Sequence, residues 1–420
     1  VGWLLTGKGL GAVLSLVYLA LATRSLGITR FGEFALILGI GQAAAALAGF
    51  QTWQVVVRFG MGPLRRGDGA GLVRLVRFCL ALDALAALVG CVLAVGALLL
   101  LRDHFGWSAT LVREAALFCM VLLLSIRSTA IGVLRLHDRF AAGAASDSVA
   151  AVVRCIGAGA AVWSHATITG FLIAWAAAEF LTAVAYWVNA LRVMPELTRR
   201  VGSLRGVTGE HDGLWRFCWQ SNLNATLNAT SRQFALVLVG VLTGAAAAGG
   251  YRLAHQLAQA LVRVSEMFSR GVFPEITRAH SGASGQDLAH LSRQSARLAI
   301  GAGLVTCMAV PLLGRVGLEL IAGREYLAAY PLLVLLGVAA GLDIMAVGYE
   351  PVLLGTGHAG AVLRIRIVGA ALLFAGLVPL VAWIGPTGAG VATLLSSAAG
   401  LALLAFTTRR LSRQTPSPSR

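Results

Sequence analysis

The chain has 420 residues, of which 58% are hydrophobic and only 12% charged, about half the charged share of a soluble domain. It carries 50 glycines, a mean hydropathy of +0.80 and a net charge of +16. These values exclude an ordinary water-soluble enzyme. No basic segment is interleaved with aromatics, which also excludes a nucleic-acid groove. The basic loops suit anionic lipid headgroups instead.

Apolar runs of about 20 residues recur, each long enough to cross a hydrocarbon core of roughly 30 Å as a helix. The sequence predicts an all-α polytopic membrane protein of twelve spans. The first, 4–23, opens on "GWLLTGKGLG", where Gly2, Gly7 and Lys8 imitate a phosphate-binding loop. Such a loop needs a preceding strand and a Ser or Thr after the lysine. Gly9 stands there instead, so no ATP is expected, and Lys8 reads as a cation near the inner mouth of a helix. Ala20-Leu21-Ala22 imitates a leader-cleavage site, but further spans follow and the segment reads as a membrane helix.

The next spans are expected at 31–54, 76–101, 112–134, 141–163 and 167–191, completing a six-helix lobe over 1–191. A cytoplasmic linker, 192–213, leads to a second lobe over 214–408 with spans at 214–242, 247–270, 294–314, 328–350, 360–383 and 387–407. The longest polar stretches are 58–75, 192–213 and 271–293, and the Pro/Ser-rich tail 409–420 is expected to be disordered. With both ends cytoplasmic, twenty basic residues fall on the inner side and six on the outer, as the positive-inside rule demands. The six cysteines lie singly in apolar runs, so no metal or other cofactor is expected.

An internal repeat is visible. Gly27, Gly32 and Phe34 match Gly244, Gly249 and Tyr251 at a constant offset of 217, which also pairs Gln42 with Gln259. Six helices per copy make the halves parallel repeats, a class of transporter that binds its substrate between them.

A charge at the centre of a span costs about 3 kcal/mol or more, so it needs a cavity or a partner. The eighth span carries Arg252, His255, Gln256, Gln259, Arg263, Glu266 and Arg270 every three or four residues, hence on one face. The seventh has a softer stripe of Ser221, Asn224, Asn228, Ser231 and Arg232. Both stripes read as cavity lining, with a dry hydrogen-bonded seam as the alternative. The sequons at Asn224 and Asn228 fall inside this span and are coincidental. Asp147 and Arg154 share a face of the fifth span and form an ion pair or line the path. Arg127 lies well inside the fourth span and Asp83 inside the third, while Gln42 and Gln54 are polar positions of the second. His165 and His358 read as loop residues. Asp343 and Glu350 share a face of the tenth span. With Asp147 and Glu266 they are candidates for ion coupling, and satisfied polar contacts or helix ends are the alternative. Arginine outnumbers acid in this set, and guanidinium holds phosphate through paired hydrogen bonds.

The first 60 residues, with Gly7-Lys8 and then Arg24, Leu26, Gly27, Gly32 and Phe34 in the pattern R-x-L-G-x4-G-x-F, resemble the polysaccharide-exporter flippases. These are relatives of lipid II flippases and MATE exporters. "GGYRLAHQL" and "FPEITR" (Phe273-Pro274-Glu275) in the second half resemble the same family, although Gln233 stands where an acid is often found. The resemblance implies a two-lobed, MATE-like transporter of the bacterial inner membrane and no enzyme activity. Its cargo would be undecaprenyl-pyrophosphate-linked oligosaccharide, carried to the outer leaflet through a cationic cavity for O-antigen, capsule or exopolysaccharide assembly. It further implies membrane lipids, a coupling ion (H+ or Na+) and polysaccharide assembly proteins as partners, and Arg24 as a path residue. The substrate path is then Arg24, Gln42, Arg127, Arg154, Asn228, Arg232, Arg252, His255, Gln259 and Arg263. A MATE-type drug antiporter is the second reading. It calls for an acid in the first two spans, where only Glu33 is found, at an end. A membrane glycosyltransferase or polymerase is the third, and calls for a large outer loop that the spacing leaves no room for.

Overall fold

In the computed structural model, residues 2–198, 207–260, 262, 288–349, 353 and 359–414 are described. Among them, the regular structure is entirely helical. Helix α1, Gly2–Ala48, has 47 residues and would reach about 70 Å if straight, more than twice a bilayer core. Gly27 breaks it with φ 72° and ψ 175°. Tyr18 and Phe34, on either side of the break, both meet Trp175, at ring-centroid distances of 5.4 and 6.2 Å. Two residues that far apart in one straight helix would be separated by about 24 Å. The chain therefore folds back at Gly27, and α1 supplies the first two predicted spans as a hairpin. A left-handed φ of this kind is open to glycine and strained for other residues.

The same device recurs at the repeat offset. Gly244, at φ 96°, separates α9 (Leu214–Thr243) from α10 (245–260). The aromatic seven residues beyond each turn is buried, Phe34 at 1% and Tyr251 at 3% exposure. Gly106 (φ 63°) and Gly323 (φ 92°) are a second left-handed pair at offset 217. A third recurrence, three residues out of register, sets Trp163 just before His165 (φ 82°) and Trp383 just before Gly385 (φ 67°). Both tryptophans are almost fully exposed, as indoles anchored at a membrane–water boundary are.

Between these turns lie α2 (Thr52–Arg66), α3 (Gly69–Phe105), α4 (Ala109–Leu124), α5 (Ser128–Leu136), α6 (Phe140–Trp163) and α7 (Ile168–Val193). Two spans expected to be continuous are interrupted. The second, expected at 31–54, stops at Ala48 and resumes as α2; the fourth, expected at 112–134, is split at 125–127 into α4 and α5. The sequence 125–129, Ser-Ile-Arg-Ser-Thr, concentrates hydroxyl side chains that compete for backbone hydrogen bonds. Broken backbone at membrane depth must be re-satisfied by neighbours. Here the Trp187 indole Nε1 donates to the Ile126 carbonyl at 2.8 Å, and the Thr226 hydroxyl donates to the Ala46 carbonyl at 3.1 Å. The polar stretch expected over 58–75 shrinks to Gly67 and Asp68: Gly67 ends α2 in the left-handed region and Asp68 caps α3 by accepting from the Gly71 amide.

After α8 (Val207–Glu210) and α9, the described helices are α10, α11 (Leu288–Ala322), α12 (Tyr330–Val347), α13 (Ala359–Ile384) and α14 (Pro386–Gln414). Helix α14 carries the last span through 409–414, which were expected in the disordered tail; 415–420 lie outside the described residues. The contacts divide the chain into two compact units, Val1–Val237 and Leu238–Arg420. The expected linker therefore falls inside the first unit. The reason is packing: Val207, Leu214 and Cys218 are buried in one cluster with Val55, Val76, Val133 and Tyr186.

Among the described residues, nine stretches are long and apolar enough to cross a membrane, the first of them being Val13–Arg66. Twelve were expected. The α1 hairpin merges two spans into that stretch, the side chains of α9 are described without a gap only from Gln233, and α10 is described only to 260 and at 262. The outer faces are apolar, with Val92, Leu100, Met308, Leu312 and Leu320 exposed, as lipid-facing side chains should be.

Candidate functional site

The two interruptions in the first unit meet. Helices α2 and α5 begin side by side, and the carboxylate of Asp83, from the middle of α3, lies against both first turns. Asp83 is 6% exposed. Thr52 Oγ1 is 2.8 and 2.9 Å from its two oxygens, and the Thr129 hydroxyl donates to Oδ2 at 2.6 Å. The Thr129 backbone amide donates to the same Oδ2 at 3.1 Å, while Ser128 Oγ is 2.7 Å from Thr52 Oγ1 and accepts from the Trp53 amide at 3.3 Å. An anion at a helix N-terminus is favoured by the helix dipole and the free amides there. No basic side chain pairs with Asp83 among the described residues.

Arg127 occupies the other side of the same break. Its guanidinium bonds Glu179 Oε2 at 2.5 Å, and Arg154 bonds Oε1 of the same carboxylate at 2.5 Å. Glu179 comes from the centre of α7 and its side chain is 7% exposed; Arg127 and Arg154 are 35% and 26% exposed. The Arg154 guanidinium also lies over the Trp175 ring at 4.0 Å, a cation–π contact. Each arginine thus bonds Glu179 through one terminal nitrogen and remains a quarter to a third exposed. One carboxylate balances two guanidiniums, leaving a surplus positive charge near mid-span. That arrangement attracts an anion able to take paired hydrogen bonds.

Of the predicted site residues, Arg127 and Arg154 are brought together, through a carboxylate the sequence reading passed over. The expected pairing of Arg154 with Asp147 does not form. Asp147 instead accepts from the Tyr186 hydroxyl at 2.7 Å, because α7 packs along that face of α6 and supplies a partner to each. Gln42 is half-buried in the second arm of α1. Arg24 is exposed three residues before the Gly27 turn, at a helix end and not at mid-span. In the second unit, Arg252 is buried, His255 stacks on Tyr251 with centroids 6.3 Å apart, and Gln256 and Gln259 are half-buried. Asp343 is exposed. Asn228 and Arg232 lie on α9, with only their backbone described; Arg263, Glu266, Arg270 and Glu350 lie outside the described residues. Among the described residues, no cluster of His, Cys, Asp or Glu is placed to hold a metal ion. The first unit also contains a cavity of about 600 Å³ whose polar lining is His137, Asp138, Arg139, Asn189 and Arg192; its two arginines fall on the inner side in the positive-inside orientation.

Glu179, Thr52, Ser128 and Thr129 are the functional candidates that sequence reasoning missed. One signal was present: a glutamate at the centre of an apolar 26-residue helix requires a buried partner.

A model of polysaccharide biosynthesis proteins matches residues 1–280. The Inner membrane protein YghQ of Escherichia coli (strain K12) is 28% identical over 341 residues, covering 79% of this chain and 94% of that protein. The chain also resembles the inward-facing structure of a multidrug resistance MATE family transporter of the MOP superfamily, with a TM-score of 0.61 at 14% identity over 96% of each chain. The lipid II flippase MurJ in its inward closed conformation gives a TM-score of 0.62 at 11% identity, over 97% of this chain and 87% of that one. At these identities the structural likeness is one of fold.

Proposed function

Because the chain belongs to the polysaccharide biosynthesis protein family, we propose that it is a flippase moving undecaprenyl-pyrophosphate-linked oligosaccharide to the outer leaflet of a bacterial inner membrane. In this reading twelve spans form two six-helix lobes with both termini cytoplasmic, and the lobes alternate access to a cationic path between them. The observation that carries it is the mid-span bridge in which Arg127 and Arg154 share Glu179 and remain a quarter to a third exposed. A drug cation would be repelled by that surplus charge, and a diphosphate would be held by it.

The need for such a path is energetic. A sugar hydroxyl placed in hydrocarbon without partners costs roughly 2–7 kcal/mol, and an oligosaccharide has many. A polar seam removes most of that cost while the polyprenyl tail stays in lipid. Outward movement of an anion is downhill by about 2.3 kcal/mol per charge per 100 mV of inside-negative potential, so the membrane potential supplies drive. The cavity at Arg139 and Arg192, which Asp138 also lines, offers a first resting place for the headgroup.

The test is surface glycan in a strain lacking the chromosomal gene. Wild-type protein restores it. The double variant Arg127→Ala/Arg154→Ala, present in the membrane at equal amount, leaves glycolipid trapped on the inner leaflet. Unchanged glycan in both the deletion strain and the double variant would refute the assignment.

A further inference from the structure

Asp83 is not needed to explain an anion path, yet it is buried as deeply as Glu179, at 6% against 5% exposure, and among the described residues no basic side chain pairs with it. We propose that Asp83 is a proton-binding site, and that its protonation sets how firmly the two half-helices α2 and α5 are pinned together. The argument rests on which hydrogen bonds can be exchanged. With Asp83 ionised, the Thr52 hydroxyl donates to a carboxylate oxygen, and Oδ2 accepts from both the hydroxyl and the amide of Thr129. When a proton arrives from water it adds to Oδ1, whose one hydrogen-bond partner is Thr52. The new O–H donates to Thr52 Oγ1, and the Thr52 hydroxyl turns to donate to Ser128 Oγ at 2.7 Å. Thr129 keeps its bonds to Oδ2. Rotation of the Thr52 and Ser128 hydroxyls thus keeps both Asp83 oxygens hydrogen-bonded in either state.

The spacing selects a proton over a metal ion. The oxygens of this cluster stand 2.6–2.9 Å apart, in direct hydrogen-bond contact. A cation held at oxygen distances of about 2.3–2.6 Å, as calcium is, would force its ligand oxygens further apart than that. The surroundings contain little else that titrates. On α3 the thiol of Cys79 lies one turn away, with Cys218 of α9 beyond it. From α2 and α5 the facing groups are the hydroxyls of Thr52, Ser128 and Thr129, and Arg127 at the same break is turned to Glu179. Losing the charge removes the anion that both first turns are built around, so the joint loosens when the proton binds. The inference does not depend on the identity of the cargo.

The experiment is an infrared titration of the full chain in liposomes of phosphatidylethanolamine and phosphatidylglycerol, with no glycolipid present. A protonated-carboxyl band should grow as pH falls, vanish in Asp83→Asn, and titrate with a displaced midpoint in Thr52→Val, which keeps the shape and deletes the relay hydroxyl. Added sodium at fixed pH should leave the band unchanged. Three outcomes would overturn the proposal: a band fully retained in Asp83→Asn, a midpoint unmoved in Thr52→Val, or a band erased by sodium alone. Should Asp83→Asn fail to insert, the Thr52→Val midpoint decides. Because no substrate is used, the result stands apart from success or failure of the glycan assay.

Discussion

Two acids of the first unit are buried in apolar surroundings and are stabilised by opposite means. Glu179 is clamped by two guanidiniums; Asp83 is held by two threonine hydroxyls and a backbone amide, with no cation paired to it among the described residues. The difference lies in what each can release. A carboxylate between two arginines stays charged and fixes their positions, so Glu179 suits a permanent frame for an anion site. A carboxylate held only by neutral donors can accept a proton without abandoning any partner, so Asp83 suits a group that changes state. Both depend on the break at 125–127, which turns Arg127 one way and Ser128 and Thr129 the other.

The largest effect should come from the clamp. Glu179→Ala leaves two guanidiniums facing each other without their shared anion, and breaking a buried pair by removing one partner costs about 3–5 kcal/mol. Denaturation in detergent micelles should show that loss, and removing Arg127 as well should recover part of it. Strict additivity of the two substitutions would mean the bridge is not coupled. A smaller loss is expected at the neutral cluster. Asp83→Ala strands donors in a dry interior, at about 1–3 kcal/mol, while Asp83→Asn retains most of the stability; equal losses in the two variants would erase the proposed contrast between frame and switch. The smallest effect belongs to the exposed pair Arg324–Glu319 at 2.7 Å. Arg324→Ala should not change the unfolding midpoint measurably, since exposed pairs contribute little. A loss there rivalling that of Glu179→Ala would show that burial is not what separates these ion pairs.

Much of the frame was legible in the residues. Apolar runs located the helices, and the offset of 217 located two turns whose glycines both take left-handed backbone. The breaks were not legible, because Gly49-Phe50-Gln51 and Ser125-Ile126-Arg127 sit within runs whose average character stays apolar. Helical spacing correctly placed Asp147 and Arg154 on one face of α6, but spacing within one helix says nothing about the neighbour. That neighbour is α7, whose Tyr186 and Glu179 take the two side chains separately. Asp83 was visible as an acid inside a span. Its partners were not, since Thr52, Ser128 and Thr129 come from segments remote in the chain and each alone is an ordinary polar residue.

The match between the two halves at their turns does not extend to the acid joint or the arginine clamp. At the positions 217 residues beyond Asp83 and Arg127 stand Ile300 and Ile344, and 220 residues beyond Glu179 stands Ala399. The corners therefore recur at these offsets and this chemistry does not. A tandem chimera of two first halves would house two acid joints and two arginine clamps, and a tandem of two second halves neither, so the copies are not interchangeable parts.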